Sequence, residues 1–186
     1  MTDSPGPVFR AVEARRSHPS VGGSAPSDDQ LRPLIAAAGA VADHGALRPW
    51  RVIALRGEAR ERLGAAIAVA AGLEGPAAEK LAAKPLRAPL LLAIVASPTP
   101  SFKVPDWEQE AVAAGVAHTL SLLLDEEGWG VIWRTGIHTR SAPVATLHGL
   151  AEGERLLGWL YVGERLPDAK TSRRAPIDVD AHFGTI

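Results

Sequence analysis

The segment from Asp106 to about Glu127 constrains this chain more than any other. Its middle, Ala111 to Leu124, is small or apolar almost all the way round a helix, so it offers no broad solvent-facing side. Such a helix has to be buried on several sides. A chain of 186 residues has limited interior in which to surround one, so a contact between two copies is the natural place to complete its burial. Asp106 is suited to N-cap this helix, and Gly128 and Gly130 end it. His118, inside the apolar stretch, reads as a hydrogen-bonded core residue. Glu108 and Glu110 lie in the first turn, where carboxylates complement the helix dipole. Asp125, Glu126 and Glu127 fan out in three directions and read as a solvated last turn rather than an acid/base pair.

Around this helix the chain alternates helical and strand-like stretches. Val8 and Val12 have helical spacing, and the segment ends in Arg15-Arg16-Ser17 before His18-Pro19 and Gly22-Gly23 forbid continuation. Ser27 to Gln30 reads as a capping box, followed by Leu31, Leu34, Ile35 and Ala38 on one helical face. The polar loop from Asp43 to Trp50 leads to a short strand, Arg51 to Leu55. Residues 58–83 favour helix, with a break at Gly75-Pro76. The run Leu90 to Val95 is continuously apolar and predicts a central strand covered on both faces. Val131 to Trp133 and Leu157 to Gly163 predict two more strands. Residues 1–7 and about 167–186, the latter with Lys170, Arg173, Arg174 and several prolines, predict extended terminal segments on a single domain.

Composition removes whole classes of function. Twenty Lys and Arg against 21 Asp and Glu leave no positive field to gather phosphates along a nucleic acid. The absence of cysteine excludes disulfides, thiolate nucleophiles, Cys-ligated zinc and Cys-held clusters, so redox chemistry would need a carried cofactor. No apolar run approaches the roughly 18 residues of a membrane span, and the first residues lack a signal-peptide pattern; the expectation is a cytoplasmic protein without a membrane partner. GxGxxG, Walker A, GxSxG and HExxH motifs are all missing. The six histidines show no metal-site spacing, and no residue stands out as a catalytic acid, base or metal ligand.

Arg15, Arg16 and Ser17 carry the most suggestive local chemistry. Two guanidiniums and a hydroxyl at a helix turn-off suit a phosphate monoester. A basic helix end complementing its own dipole accounts for the same residues. Three further blocks follow in order: Asp43 to Trp50; Lys103 to Glu110, leading to Gly128 through Gly136; and Leu157 to Gly163. Together with the triplet, from about Val8 to Gly163, they resemble the nitroreductase family, in its short single-domain form.

The resemblance implies an α+β fold, with a mixed, mostly antiparallel sheet flanked by helices. It also implies an intertwined homodimer with FMN at the interface. Carried over by position, Arg15 and Ser17 match residues holding the FMN phosphate and ribityl chain, with Arg16 at the flavin's polar edge. His44 matches a residue reaching in from the other subunit. Trp133, Arg134 and Thr135 match the segment along the isoalloxazine, and Arg174 matches a basic residue on the phosphate. The implied activity passes hydride from NADH or NADPH through flavin N5 to a small oxidant such as a nitroaromatic or quinone, with ping-pong kinetics; the flavin carries the chemistry and the protein positions it.

Two departures from the pattern bear on that activity. Ala40 stands where close relatives carry an arginine aimed at the partner's flavin, and Arg48 in the same loop is the candidate to replace it. His18-Pro19-Ser20 stands where many relatives have another basic residue, which predicts a weaker phosphate site. Two rival readings therefore remain: a flavin-binding or storage protein that does not turn over, and a homodimeric interaction protein with an eroded site.

Overall fold

The computed structural model describes residues 5–167 and 174–186. In chain order it contains α1 (Pro7–Ala14), α2 (Asp28–Ala38), β1 (Trp50–Leu55), α3 (Glu58–Ala71), α4 (Gly75–Ala82), β2 (Leu90–Ala96), α5 (Asp106–Glu126), β3 (Trp129–Arg134), α6 (Ala142–Leu147) and β4 (Arg155–Glu164). The strands form one sheet in the order β1-β2-β4-β3. All three pairings are antiparallel, so the antiparallel part of the expected sheet is present and no parallel pair occurs among the described residues.

Every residue of β2 is buried, which explains why its sequence does not alternate: both faces are covered. Leu90, Leu92 and Ile94 pack with Leu31 and Ala38 of α2 and with Val116, Ala117, Leu120 and Leu124 of α5. Leu91, Ala93 and Val95 pack on the opposite face with Leu63 and Ile67 of α3 and Val144 of α6. The result is a helix layer on each side of the sheet, each closing a separate apolar cluster. Along β4 the alternation is interrupted. The register with β2 slips between Ile94 and Val95, so that Ile94 faces Gly158 and Val95 faces Leu156. Leu157 is the extra residue of this bulge, and it keeps Leu156 and Trp159 in the same cluster although they are three apart. Gly158 takes φ 142°, and a Cβ there would lie 2.5 Å from the Arg134 carbonyl oxygen, so the bulge requires glycine.

The capping box at α2 is complete: the Gln30 N–H donates to the Ser27 hydroxyl and the Ser27 N–H donates to Gln30 Oε1 at 2.9 Å. Elsewhere the chain departs from expectation. The helix over 58–83 ends at Gly72, in the left-handed region at φ 62°, and Gly75-Pro76 opens α4 rather than breaking its predecessor, since proline suits the first turn of a helix. Pro7 likewise opens α1 instead of closing the terminal segment. Asp106 is the first residue of α5, with Pro105 at the cap, and it pairs with Arg155 at 3.1 Å. Asp125 is buried rather than solvated, with its carboxylate 2.9 Å from Arg165 Nη2. His118 is exposed rather than in the core; its ring meets the Trp133 ring edge-on at 5.0 Å. It lies on a face of α5 that the described residues leave uncovered, together with exposed Ala111 and half-buried Val112, Gly115 and Leu122. Residues 174–186 contain no helix or strand. Lys170 and Arg173 lie outside the described residues.

Glycine also governs how α3 meets α4. A Cβ on Gly64 would lie 2.1 Å from the Ala82 carbonyl oxygen, a contact that only displacement of the α4 backbone can relieve. Gly64→Ala is expected to cost about 1–3 kcal/mol through overpacking. A guanidinium denaturation midpoint equal to that of the unaltered protein would show that α4 is not held at this contact.

Candidate functional site

The two helix layers stop short at the β3 end of the sheet and leave a cavity of about 350 Å³ on the α3 and α4 side. One wall is the end of β3 and the turn after it, Ile132 through Gly136, and another is the aromatic pair Trp159 and Tyr161 on β4. Ile67 of α3 and Leu81 of α4 add apolar surface. Lys84, Arg87, Arg134 and His138 also line it, and among the described residues no carboxylate does. Lys84 and Arg87 open and close a 3₁₀ turn, in which residues three apart eclipse one another, so both cations face the same side. None of Lys84, Arg87 and Arg134 forms an ion pair among the described residues.

Two features of the lining stand out. The Arg134 guanidinium carbon lies 5.3 Å from the centre of the Tyr161 ring, a cation–π arrangement, and Arg134 Nε is buried without a hydrogen-bond partner among the described residues. Burial pushes the Tyr161 hydroxyl above its usual range, against the pull of Arg134 and Arg87, so it remains a donor at neutral pH. Trp159 is fixed from behind: its indole N–H donates to His148 Nε2 at 3.1 Å, and His148 Nδ1 lies 2.7 Å from the Val144 carbonyl. With both ring nitrogens so used, His148 is neutral with its proton on Nδ1, and burial holds its pKa below the usual range.

Of the sequence-predicted residues, Trp133, Arg134 and Thr135 line this cavity. Arg15 and Ser17 are half-buried on the segment after α1, which the His18 N–H ties to the Val131 carbonyl of β3 at 2.9 Å. Arg16 folds back over its own helix, with Nη1 within hydrogen-bond reach of the Glu13, Ala14 and Arg15 carbonyls. Arg16 and Arg174 are brought together with Arg10 and Glu13 around a separate open depression, where Arg174 Nη1 donates to the Val12 carbonyl at 3.3 Å. His44 lies elsewhere, in an apolar groove along α5 with Val41, Trp107, Ala111 and Gly115, and pairs with Glu108 at 3.0 Å. Arg48 is exposed at φ 49°, its N–H donating to Asp43 Oδ2 at 2.7 Å. Glu110 bridges Arg140 and Arg155, each at 3.5 Å.

Sequence reasoning missed Lys84, Arg87, Trp159 and Tyr161. The pair of cations three apart around Pro85, directly before a buried strand, was the available signal for the first two. Among the described residues no group of His, Asp or Glu is placed to hold a metal, and no helix is long and apolar enough to cross a membrane.

Comparison with known proteins gives a consistent picture. The family described as Nitroreductase matches residues 12–164. The Escherichia coli (strain K12) protein named "Putative NAD(P)H nitroreductase YdjA" is 35% identical over 165 residues, covering 87% of this chain and 90% of that protein. A nitroreductase-like family protein from Bacillus cereus superposes with a TM-score of 0.82 at 21% identity, over 100% of this chain and 99% of the other. The FMN- and NADPH-dependent nitroreductase NfnB from Sphigopyxis sp. strain HMH superposes with a TM-score of 0.75 at 18% identity, over 96% and 98%. These last two likenesses concern the fold.

The buried histidines give this site a pH dependence. His18 and His148 both have folded-state pKa values lowered chiefly by burial. Below about pH 6.5 the unfolded chain takes up these protons first, so stability falls with pH by up to about 1.4 kcal/mol per unit for each group until the folded-state value is passed. Urea midpoints should therefore drop between pH 8 and 5.5. His148→Gln, which can still accept from Trp159 but does not titrate, should show a shallower drop; an identical slope would contradict the assignment of His148 as neutral.

Proposed function

The chain belongs to the nitroreductase family, and from that premise we propose that it is an FMN-dependent oxidoreductase using NADH or NADPH. The observation that carries this reading is the coincidence of two independent lines on one segment. Trp133 to Thr135, matched by position to the residues along the flavin, form one wall of a cavity lined by cations and, among the described residues, by no carboxylate. Its volume lies within the usual range of about 300–1,000 Å³ for small-molecule sites, and Arg134 Nε, unpartnered among the described residues, is a donor suited to the oxygens and nitrogens of a heteroaromatic ring.

FMN, when bound, would supply a two-electron carrier that takes hydride from the nicotinamide and returns the electrons to a small oxidant such as a nitroaromatic or quinone. The chain's own part is positioning and electrostatics. Lys84, Arg87 and Arg134 would favour the anionic reduced ring, as opposite charges favour an ionised form. Backbone groups of Trp133 to Gly136 and the Tyr161 hydroxyl would orient it, and Ile67, Leu81 and Ile132 would keep water from one side. Arg15 and Ser17 would take the phosphate end, with Arg16 and Arg174 adding positive charge. No side chain in the cavity is required as an acid or base for hydride to leave the nicotinamide.

The same reading includes a homodimer of single-domain chains in the cytoplasm, closed across the uncovered face of α5, with His44 and Arg48 contributed to the other subunit's site. A second reading, a flavin binder without turnover, is favoured by Ala40 in place of an arginine. Anaerobic addition of NADH or NADPH to the FMN-loaded protein separates the two. Bleaching of the visible flavin band by either nucleotide, followed by its return on adding a quinone, is expected. Bound flavin that neither nucleotide bleaches would overturn the enzyme reading in favour of the binder, and failure to take up FMN would leave only the interaction protein. In Arg15→Ala, FMN affinity should fall by about tenfold, as for loss of one charge-assisted hydrogen bond.

A further inference from the structure

β3 is an edge strand, so the outward N–H and C=O groups of Val131 have no neighbouring strand to pair with. His18 takes both. Its main-chain N–H donates to the Val131 carbonyl at 2.9 Å, and the Val131 N–H lies 3.4 Å from His18 Nδ1. Gly130 makes the approach possible, since a Cβ there would lie 3.4 Å from the His18 Cβ and 2.8 Å from Val21 Cγ1. The side chain is only 5% exposed. Because Nδ1 accepts from Val131, the ring is neutral, with its proton on Nε2.

The surroundings of the ring provide a second partner for Nδ1. Asp125 Oδ1, from α5, lies 3.8 Å away. Arg165, after β4, is 2.9 Å from the same oxygen, yet Oδ1 has no hydrogen bond of proper geometry and is buried. Arg15, on the same segment as His18, is the remaining charge that acts on the ring, and it opposes protonation as Arg165 does. With the ring neutral, the single Nδ1 lone pair is taken by the Val131 N–H, and the Asp125 oxygen across the 3.8 Å gap receives no donor from the ring. With Nδ1 protonated, that nitrogen can no longer accept from Val131, and a turn of the ring toward Asp125 gives its new donor an unused carboxylate lone pair.

We propose that His18 is a positioning residue whose neutral ring fastens the Arg15-Arg16-Ser17 segment to the outer edge of β3, and that its protonation exchanges the Val131 N–H for Asp125 and loosens the segment. Desolvation lowers the pKa of the ring, so the fastened form prevails at neutral pH and release belongs to acid conditions, below the ordinary histidine range. The link to flavin affinity rests on the function proposed above; the exchange of partners does not.

The test separates the two. In NMR titrations of the full chain without flavin, the Val131 and Ser17 amide resonances should move with the same midpoint as the His18 ring, and neither should titrate in His18→Asn, whose Oδ1 reproduces the acceptor without the proton. FMN affinity is then measured at pH 8 and at the ring's midpoint. The unaltered protein should lose several-fold more affinity than His18→Asn, which also subtracts titration of the FMN phosphate itself. At pH 8 His18→Asn should retain affinity and His18→Ala should lose about tenfold. Amides that do not titrate with the ring, or the same affinity loss in His18→Asn as in the unaltered protein, would overturn the proposal. Titrating amides in a chain that binds no FMN at either pH would uphold the exchange and refute the flavin reading.

Discussion

Burial of β2 on both faces is the constraint from which the rest of the structure follows. A strand with apolar side chains on both sides of the sheet cannot be left with one face in water, so helices must cover each side. The two sets of β2 side chains accordingly head two apolar clusters, one closed by α2 and α5 and the other by α3 and α6. These layers cover the centre of the sheet but not the far end of its β3 edge, and the cavity lies where the α3 and α4 layer runs out. Cover over the core and access at the edge are consequences of one arrangement.

The β3 edge is then finished by local devices. The bulge at Leu157 and the glycine after it realign β4 so that Trp159 and Tyr161 share the face of Ile132 and Arg134. The 3₁₀ turn from Lys84 to Arg87 brings two cations to the same space. Along the outside, His18 occupies hydrogen-bonding groups that another strand would otherwise take. Four buried side-chain polar atoms lack a partner among the described residues, Arg60 Nε, Asp125 Oδ1, Trp133 Nε1 and Arg134 Nε; the last belongs to the cavity wall. Orphaned buried donors are costly unless a ligand or water satisfies them, which makes their position informative.

Much of this was legible in the sequence, and the failures have physical causes. The uninterrupted run Leu90 to Val95 identified the central strand, because only burial on both faces tolerates such a pattern. The capping box of Ser27 and Gln30 fixed the start of α2 through interactions within four residues. The break after α3 was misplaced because proline was read as a terminator, when it stood at the start of the next helix. Asp125 and His118 were misjudged in opposite directions: the neighbours that decide burial of an aspartate or a histidine are distant in sequence, here Arg165 for the first and a face open to solvent for the second. The segment Trp133 to Thr135 was found through resemblance, whereas Lys84, Arg87 and Tyr161 join it only by tertiary contact and carry no motif of their own.

The account stands on the claim that this cationic cavity is where the flavin ring sits. Equilibrium titration of the flavin-free protein with FMN, followed by quenching of flavin fluorescence, tests it most directly when the unaltered chain is compared with Lys84→Gln, Arg87→Gln. The account predicts saturable binding near one FMN per chain and a loss of affinity of about a hundredfold in the double variant, on the order of two charge-assisted contacts. Saturable binding with the same affinity in both proteins would put the flavin elsewhere and contradict the account.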